Sequence, residues 1–219
     1  MKERPILFNA EMVRAILSGR KTQTRRVMKL QPTPSKTREG DFWFSCNKMR
    51  SMVHISDFTP GNCVIPDAHE LFSASCPIGA VGDRLWVRES WKPDAPCDGS
   101  WGDMEFYGCK CAPLNMIPPR FQNPEHCIYR ASWEGPEMIG WHPSIHMPRW
   151  ASRITLEITG VRVERLHAIT LGDICKEFGC GLYDFRPATY GFQVWEELWR
   201  SIYGADSWQA NPWVWVIEF

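Results

Sequence analysis

The chain contains one long alternating stretch, ITLEITGVRVERL at residues 154–166. Apolar and polar side chains alternate on both sides of Gly160, and a period of two residues is typical of a half-buried β-strand. A glycine inside such a pattern indicates a bulge or a bend. We therefore predict one long, bent strand of the kind that builds a small β-barrel.

Two further stretches alternate in the same way, residues 84–88 (RLWVR) and 213–219 (WVWVIEF). We expect them to lie with residues 154–166 in one curved sheet or barrel. Helical spacing is confined to residues 11–18, 170–178 and 190–203, and Asn9 is placed to cap the first of these helices. Few helices and widely spaced strands predict a mixed α+β fold with a small, closed or half-closed barrel.

Composition places the chain among globular proteins. It has 219 residues, of which 44% are hydrophobic and 23% charged, and this excludes a disordered or fibrous protein. No apolar run of about 18 residues occurs, and the N-terminus becomes polar too quickly for a signal peptide. We therefore expect a cytoplasmic protein without a membrane partner, and the oligomeric state stays open.

Two stretches interrupt the regular patterns, at about residues 31–75 and 92–127. Both are rich in Pro, Gly, Ser or Cys and show little periodicity. We interpret them as loop-rich insertions in a single domain that spans residues 1–219.

Positive charge is concentrated near the N-terminus. The whole chain carries 25 Lys and Arg against 25 Asp and Glu, but residues 1–38 carry ten basic residues and two acidic ones. The segment RKTQTRRV at residues 20–27, after the first helix, contributes four of these cations. A local basic patch favours an anionic ligand, although a Lys- and Arg-rich turn is also common on solvated surfaces.

The motifs resemble the ASCH domain family. The resemblance rests on GRKTQTRR at residues 19–26 after a short helix, GDRLWVRESW at residues 82–91, WHPSIHMPRWASR at residues 141–153 and NPWVWV at residues 211–216. Together these segments are similar to the larger members of the family that bacteriophages and prophages encode. The resemblance leaves out residues 31–75 and 92–127.

The resemblance implies a PUA-like β-barrel fold and an association with RNA or a modified nucleoside. A small bacterial member of the family is an N4-acetylcytidine amidohydrolase that uses a Lys, a Thr three residues later and a Glu. The Lys and Thr correspond to Lys21 and Thr24, and the Glu is most similar in position to Glu177. These three residues are the predicted catalytic set, and their chemistry requires no cofactor.

Amide hydrolysis needs a nucleophile, a base and an acid. Thr24 would be the nucleophile and Glu177 the proton donor. Lys21 would be the base, which requires burial and cationic neighbours to lower its pKa from about 10.4. Positions 21 and 24 point to opposite faces of a regular strand, so this role needs a turn or bulge between them.

Nucleic-acid binding would draw on guanidinium groups for phosphates and on indoles for stacking. The candidate residues are Arg20, Arg25, Arg26, Arg84, Trp86, Arg88 and Trp150. For any single Trp, a place in the hydrophobic core is the favoured interpretation.

Four cysteines fall within 31 residues, at Cys97, Cys109, Cys111 and Cys127. Four thiols in a segment with little core of its own would suit a tetrahedral structural zinc site. Buried free thiols are the alternative.

The leading hypothesis is a protein that binds RNA, a modified nucleobase or a modified nucleoside in a PUA-like pocket. Hydrolysis of an N4-acyl cytidine in that pocket is a further hypothesis that ranks below binding. Two alternatives stay open. A ribonuclease acting on single-stranded RNA would need a basic groove as long as a strand. A structural or morphogenetic phage protein would use exposed tryptophans for assembly.

Overall fold

The structure is a computed structural model that describes residues 1–46, 50–58, 75–94, 114, 117, 119–137, 139–181, 184–185 and 187–219. The described strands are β1 (Glu3–Leu7), β2 (Gln23–Val27), β3 (Thr33–Pro34), β4 (Phe42–Cys46), β5 (Ser51–His54), β6 (Arg84–Arg88), β7 (Trp91–Pro93), β8 (Cys127–Tyr129), β9 (Thr155–Glu157), β10 (Gly160–Arg165) and β11 (Trp213–Glu218). The described α-helices are α1 (Ala10–Leu17), α2 (Leu171–Phe178), α3 (Ala188–Tyr203) and α4 (Ala205–Gln209). The mixed α+β class predicted from the sequence is confirmed.

The chain forms two compact units. The first unit comprises Met1–Lys2, Gly19–Arg84 and Glu157–Phe219, and the second comprises Glu3–Ser18 and Leu85–Leu156. Within the described ranges, no helix is long and apolar enough to cross a membrane.

The first unit is built on the sheet β10-β11-β2, in which both pairs of strands are antiparallel. On one face of this sheet, Val214 and Val216 pack against α2 and α3 through Ile174, Trp195 and Trp199. On the other face, Phe42 and Phe44 of β4 meet Trp213 and Trp215 edge-on, with ring centroids 5.1 and 5.8 Å apart. A second sheet, β3-β4-β5, therefore lies against the face opposite to the helices.

The second unit holds the sheet β1-β6-β9 and the strand pair β7-β8. The helix α1 begins as the sequence predicts, because the Asn9 side chain accepts a hydrogen bond of 2.8 Å from the Met12 N–H. Trp91 of β7 and Tyr129 of β8 form a hydrophobic cluster with Met147 and Ala151.

The long strand predicted at residues 154–166 is two strands in the structure. The Ile158 N–H donates to the Asp83 carbonyl, whereas the next N–H, that of Thr159, donates to the Glu218 carbonyl, each at 2.9 Å. The backbone thus changes its pairing partner between these two residues. As a result, β9 pairs in the sheet of β6, and β10 pairs with the terminal strand β11.

Candidate active site

The strand β2 directs alternate side chains toward α2. Lys21, which precedes the strand, and Gln23 and Arg25 within it all contact this helix. Lys21 Nζ lies 2.9 Å from Glu177 Oε2, and Gln23 Nε2 donates to the Asp173 carbonyl at 2.8 Å. Arg25 Nη1 donates to Glu177 Oε1 at 3.2 Å. The period of two residues in β2 therefore produces one row of polar and charged side chains that faces the helix.

The helix α2 presents its two carboxylates to this row because of their spacing. Asp173 and Glu177 are four residues apart, so both lie on one face of the helix. Thr170 and Asp173 form a reciprocal capping box at the first turn, and Gly179 ends the last turn with φ at +70°. Both ends of the helix are thus fixed by local sequence, and so is the position of Glu177.

Lys21 is enclosed by hydrogen-bond acceptors. Its Nζ donates to the Glu177 carbonyl at 2.6 Å, to the Gln23 carbonyl at 2.8 Å and to Glu177 Oε2 at 2.9 Å. The side chains of Lys21 and Glu177 are 0% and 4% exposed. Burial is the main cause that lowers the pKa of Lys21, and the nearby Arg25 and Arg26 act in the same direction. Glu177 opposes this shift without reversing it.

Arg25 connects the buried pair to two further carboxylates. Its Nε and Nη2 both donate to Glu164 Oε1, at 2.9 and 2.5 Å, and Nη2 lies 3.5 Å from Asp173 Oδ2. The Arg25 side chain is fully buried and has the Trp195 ring 5.9 Å from its guanidinium carbon. Arg25 therefore connects Glu177 to Glu164 and Asp173 in the protein interior.

Arg162 forms the more exposed end of the network. It contacts Glu164 at 3.4 Å and Asp173 at 3.0 Å, and it also pairs with Glu218. Burial acts to lower the pKa of Arg162, but these three carboxylates outweigh it, and the pKa is raised. Burial likewise acts to raise the pKa of Asp173, but hydrogen bonds from Thr170 and Gln23 and the charge of Arg25 lower it overall.

Thr24 does not join this network. It pairs with Ile217 of β11 in an unbroken register between Gln23 and Val27, and it is buried. Since Gln23 and Arg25 face α2, Thr24 between them faces the other side of the sheet. The structure brings together Lys21 and Glu177 of the predicted catalytic set and places Thr24 on the opposite face of β2.

The predicted nucleic-acid-binding residues divide between the two units. In the first unit, Arg20 is exposed, Arg26 and Arg84 are half-buried, and Arg25 belongs to the buried network.

In the second unit, the guanidinium carbons of Arg88 and Arg149 lie 4.9 and 5.9 Å from the ring of the buried Trp86. Trp150 stands edge-on to Trp91, with ring centroids 5.3 Å apart. Trp86 therefore already contacts two arginines, and Trp150 already contacts the buried ring of Trp91.

The predicted zinc ligands lie mostly outside the described residues. Cys97, Cys109 and Cys111 fall there, so the zinc site stays a prediction. Cys127 is buried in the second unit, where its Sγ donates to the Asn123 carbonyl at 3.4 Å. Burial raises the pKa of this thiol to about 12. Among the side chains that the structure describes, no cluster of three potential metal ligands occurs.

Sequence reasoning missed five members of the network: Gln23, Arg162, Glu164, Asp173 and Glu218. The spacing of Asp173 and Glu177 was a signal that both carboxylates share a helix face. The alternation of Arg162 and Glu164 placed these two on one face of a strand. Nothing local indicated that this strand would lie two positions away from β2 in the sheet.

Comparison of the chain with family models, with curated proteins and with solved structures found no match.

Proposed function

We propose that this chain is an ASCH-type protein with a PUA-like fold, and that it binds a modified cytidine, free or within RNA, and hydrolyses the N4-acyl group. The Lys21–Glu177 pair is the acid–base pair of this reaction. Binding can hold without hydrolysis, because a protein that binds the nucleoside without turnover would use the same fold.

One observation carries the proposal. Lys21 and Glu177 are 156 residues apart in the chain, yet Nζ and Oε2 lie 2.9 Å apart in a buried site. The resemblance had assigned an acid–base role to both residues. Burial also lowers the pKa of Lys21, which brings the amine closer to the range in which it accepts a proton.

The chemistry follows from a shared proton. Transfer of a proton from Lys21 Nζ to Glu177 Oε2 gives a neutral amine and a carboxylic acid. The amine then accepts a proton from a water molecule as the water oxygen attacks the acyl carbon. The carbon–nitrogen bond breaks, and Glu177 returns its proton to the departing N4, which leaves cytidine, a carboxylic acid and the original ion pair.

The position of Thr24 assigns the attack to water. The Thr24 side chain and Lys21 Nζ lie on opposite faces of the sheet, so Thr24 forms no bond to the substrate in this proposal. Gln23 and Glu177 carbonyls also hold Nζ, and the substrate must displace one of them to reach the amine.

Arg20 extends the proposal to RNA. It is exposed and directly precedes Lys21, and in this proposal its guanidinium pairs with a phosphate next to the bound nucleoside. This contact would make the binding of an RNA substrate, but not of a free nucleoside, weaken as salt rises.

Binding without turnover is the second candidate, and a specific observation favours it. The three hydrogens of the Lys21 ammonium are matched by three acceptors, which is the arrangement of a stable charged group rather than of a free base. A protein of this kind would recognise the nucleoside and leave its acyl group intact.

The test uses N4-acetylcytidine, both as a free nucleoside and at one position of a short single-stranded RNA. Mass spectrometry follows loss of the acetyl group, and fluorescence anisotropy follows binding of the RNA. Turnover supports the hydrolase, and binding without turnover supports the second candidate. The absence of both on the folded protein would contradict the proposed function.

A further inference from the structure

A second polar cluster lies in the first unit, away from Lys21 and Glu177 in the sequence. Ser35 directly follows β3, His54 ends β5, and Asp57 belongs to the short 3-10 turn Ile55–Phe58. Ser35 Oγ lies 2.9 Å from His54 Nε2, and His54 Nδ1 lies 3.9 Å from Asp57 Oδ2. The three side chains thus form a hydroxyl–imidazole–carboxylate row.

The hydrogen bonds at Ser35 determine the direction of the row. Its Oγ accepts the backbone N–H groups of Thr37 and Arg38, at 3.1 and 3.0 Å. The hydroxyl hydrogen has two acceptors within reach, His54 Nε2 at 2.9 Å and Thr37 Oγ1 at 3.2 Å, of which His54 is the nearer. Donation to His54 Nε2 requires the tautomer that carries the imidazole hydrogen on Nδ1, on the side of Asp57, and this is also the tautomer that a general base for a serine hydroxyl needs.

The imidazole and the carboxylate are both held in place. His54 is 7% exposed, and its ring centroid lies 3.8 Å from that of Trp43 with the planes inclined by 30°. Asp57 Oδ1 accepts a hydrogen bond of 2.6 Å from Arg38 Nη1. The Nδ1–Oδ2 distance of 3.9 Å is longer than a hydrogen bond, and such contacts are often loose in enzymes without substrate.

The loop that carries Ser35 is closed on itself. The Ser35 N–H donates to the Asp41 carbonyl at 2.8 Å, and Asp41 in turn accepts the Ser56 hydroxyl at 2.5 Å. Ser35 itself is half-buried and Thr37 is exposed. Ser35 is therefore partly accessible to solvent.

We propose that Ser35, His54 and Asp57 form a second, nucleophilic site that accepts an acyl group from an ester. His54 Nε2 takes the Ser35 proton while Oγ attacks the ester carbonyl carbon. The alcohol leaves with that proton, and the acyl group stays on Oγ as an ester. A water molecule, deprotonated by the same imidazole, then releases the acyl group as a carboxylic acid and restores the serine.

The two backbone N–H groups at Ser35 occupy the lone pairs of Oγ in the resting state. One of these hydrogen bonds must open as Oγ attacks, because the new bond to the carbonyl carbon uses a lone pair of Oγ. Asp57 acts as a positioning residue, because it faces His54 Nδ1 and does not touch the reacting atoms.

The test uses p-nitrophenyl acetate and an alkyl fluorophosphonate, which acylate or phosphonylate an activated serine. Intact-protein mass followed by peptide mapping should show one adduct per chain, on Ser35. Ser35→Ala should abolish the adduct, and His54→Gln should slow its formation by about 100-fold or more, the scale of losing a general base. Ser51→Ala, which removes an exposed serine hydroxyl at the start of β5, is the matched control and should label at the wild-type rate.

Three outcomes would overturn the proposal: no adduct on the wild-type protein, an adduct on a residue other than Ser35, or an unchanged rate in His54→Gln. Glutamine offers an acceptor to the Ser35 hydroxyl but does not take its proton, and thermal melting of each variant checks that it is folded. The result does not depend on the Lys21–Glu177 site, because the probes contain no nucleoside.

Discussion

Arg25 and Glu177 face each other between β2 and α2, with Nη1 3.2 Å from Oε1, while Lys21 occupies the other carboxylate oxygen at 2.9 Å. Both oxygens of one buried carboxylate are thus bound by different cations. Each oxygen of the Glu177 carboxylate therefore has its own cationic partner, which offsets the cost of burying the group. This relationship also makes the two cations unequal, since only Lys21 can lose its proton.

Removal of Lys21 should destabilise the fold. In Lys21→Met, Glu177 Oε2 loses its buried partner, and a buried charge without its partner costs about 3–5 kcal/mol. We expect the free energy of unfolding to fall by about 3 kcal/mol, the low end of this range, because Arg25 still binds Oε1. Urea unfolding measures the change, and Lys29→Met, at an exposed lysine, should stay within about 0.5 kcal/mol of wild type. Equal stability of the two variants would show that the pair contributes nothing.

Asp173 should make stability depend on acid pH. Its pKa in the folded protein is lowered, so the carboxylate contributes stability above its ordinary pKa of 3.8 and loses this contribution as the pH falls through the lowered value. Asp173→Asn should therefore be less stable than wild type at pH 7, and the difference should shrink below about pH 4. Urea unfolding at several pH values measures this, with Asp206→Asn on the exposed side of α4 as the control. A difference that stays constant down to pH 2 would exclude the electrostatic role of Asp173.

Replacing either of two glycines near Glu177 by alanine should change the stability of the fold, in opposite directions for the two positions. Gly179 has φ at +70°, where a Cβ is strained, so Gly179→Ala should cost about 1 kcal/mol. Gly172 lies within α2, and a Cβ there would meet only Thr170 Oγ1, at 3.8 Å. Gly172→Ala should stabilise by about 0.5 kcal/mol, since alanine loses less entropy in a helix. Thermal melting of both variants tests the signs, and a stabilising Gly179→Ala would contradict the described helix end.

Thr24 distinguishes attack by water from attack by a threonine. Thr24→Val conserves shape and burial and removes only the hydroxyl. Because Thr24 faces away from Lys21, we expect turnover of N4-acetylcytidine to stay within about threefold of wild type. A loss of about 100-fold or more, the scale of a principal catalytic group, would make Thr24 the nucleophile and would require the strand to open during the reaction.

Local features of the fold were predictable from the sequence, because their causes lie within a few residues. Asn9 at the start of α1 and the pair of Thr170 and Asp173 at the start of α2 act over three residues, and both caps are present. The position of Thr24 relative to Lys21 also followed from the period of a strand. The break between β9 and β10 did not, because it depends on backbone partners at Asp83 and Glu218 that are distant in the chain.

The site was predictable only in part for the same reason. Lys21 and Glu177 were named through a resemblance, since 156 residues separate them and no spacing rule connects them. Arg25 was expected to meet phosphates, but the order of strands β10, β11 and β2 brings Glu164 to it. Ser35, His54 and Asp57 lie in a stretch without periodicity, where sequence patterns predict no geometry.

Turnover of N4-acetylcytidine under single-turnover conditions tests the central claim most directly. The comparison needs four proteins: wild type, Lys21→Met, Glu177→Gln and the exposed control Lys29→Met, each checked for folding by thermal melting. We predict that wild type and Lys29→Met release cytidine at the same rate, and that Lys21→Met and Glu177→Gln are slower by about 100-fold or more. Equal rates in all four folded proteins, or no release of cytidine by wild type, would contradict the assignment of Lys21 and Glu177 as an acid–base pair.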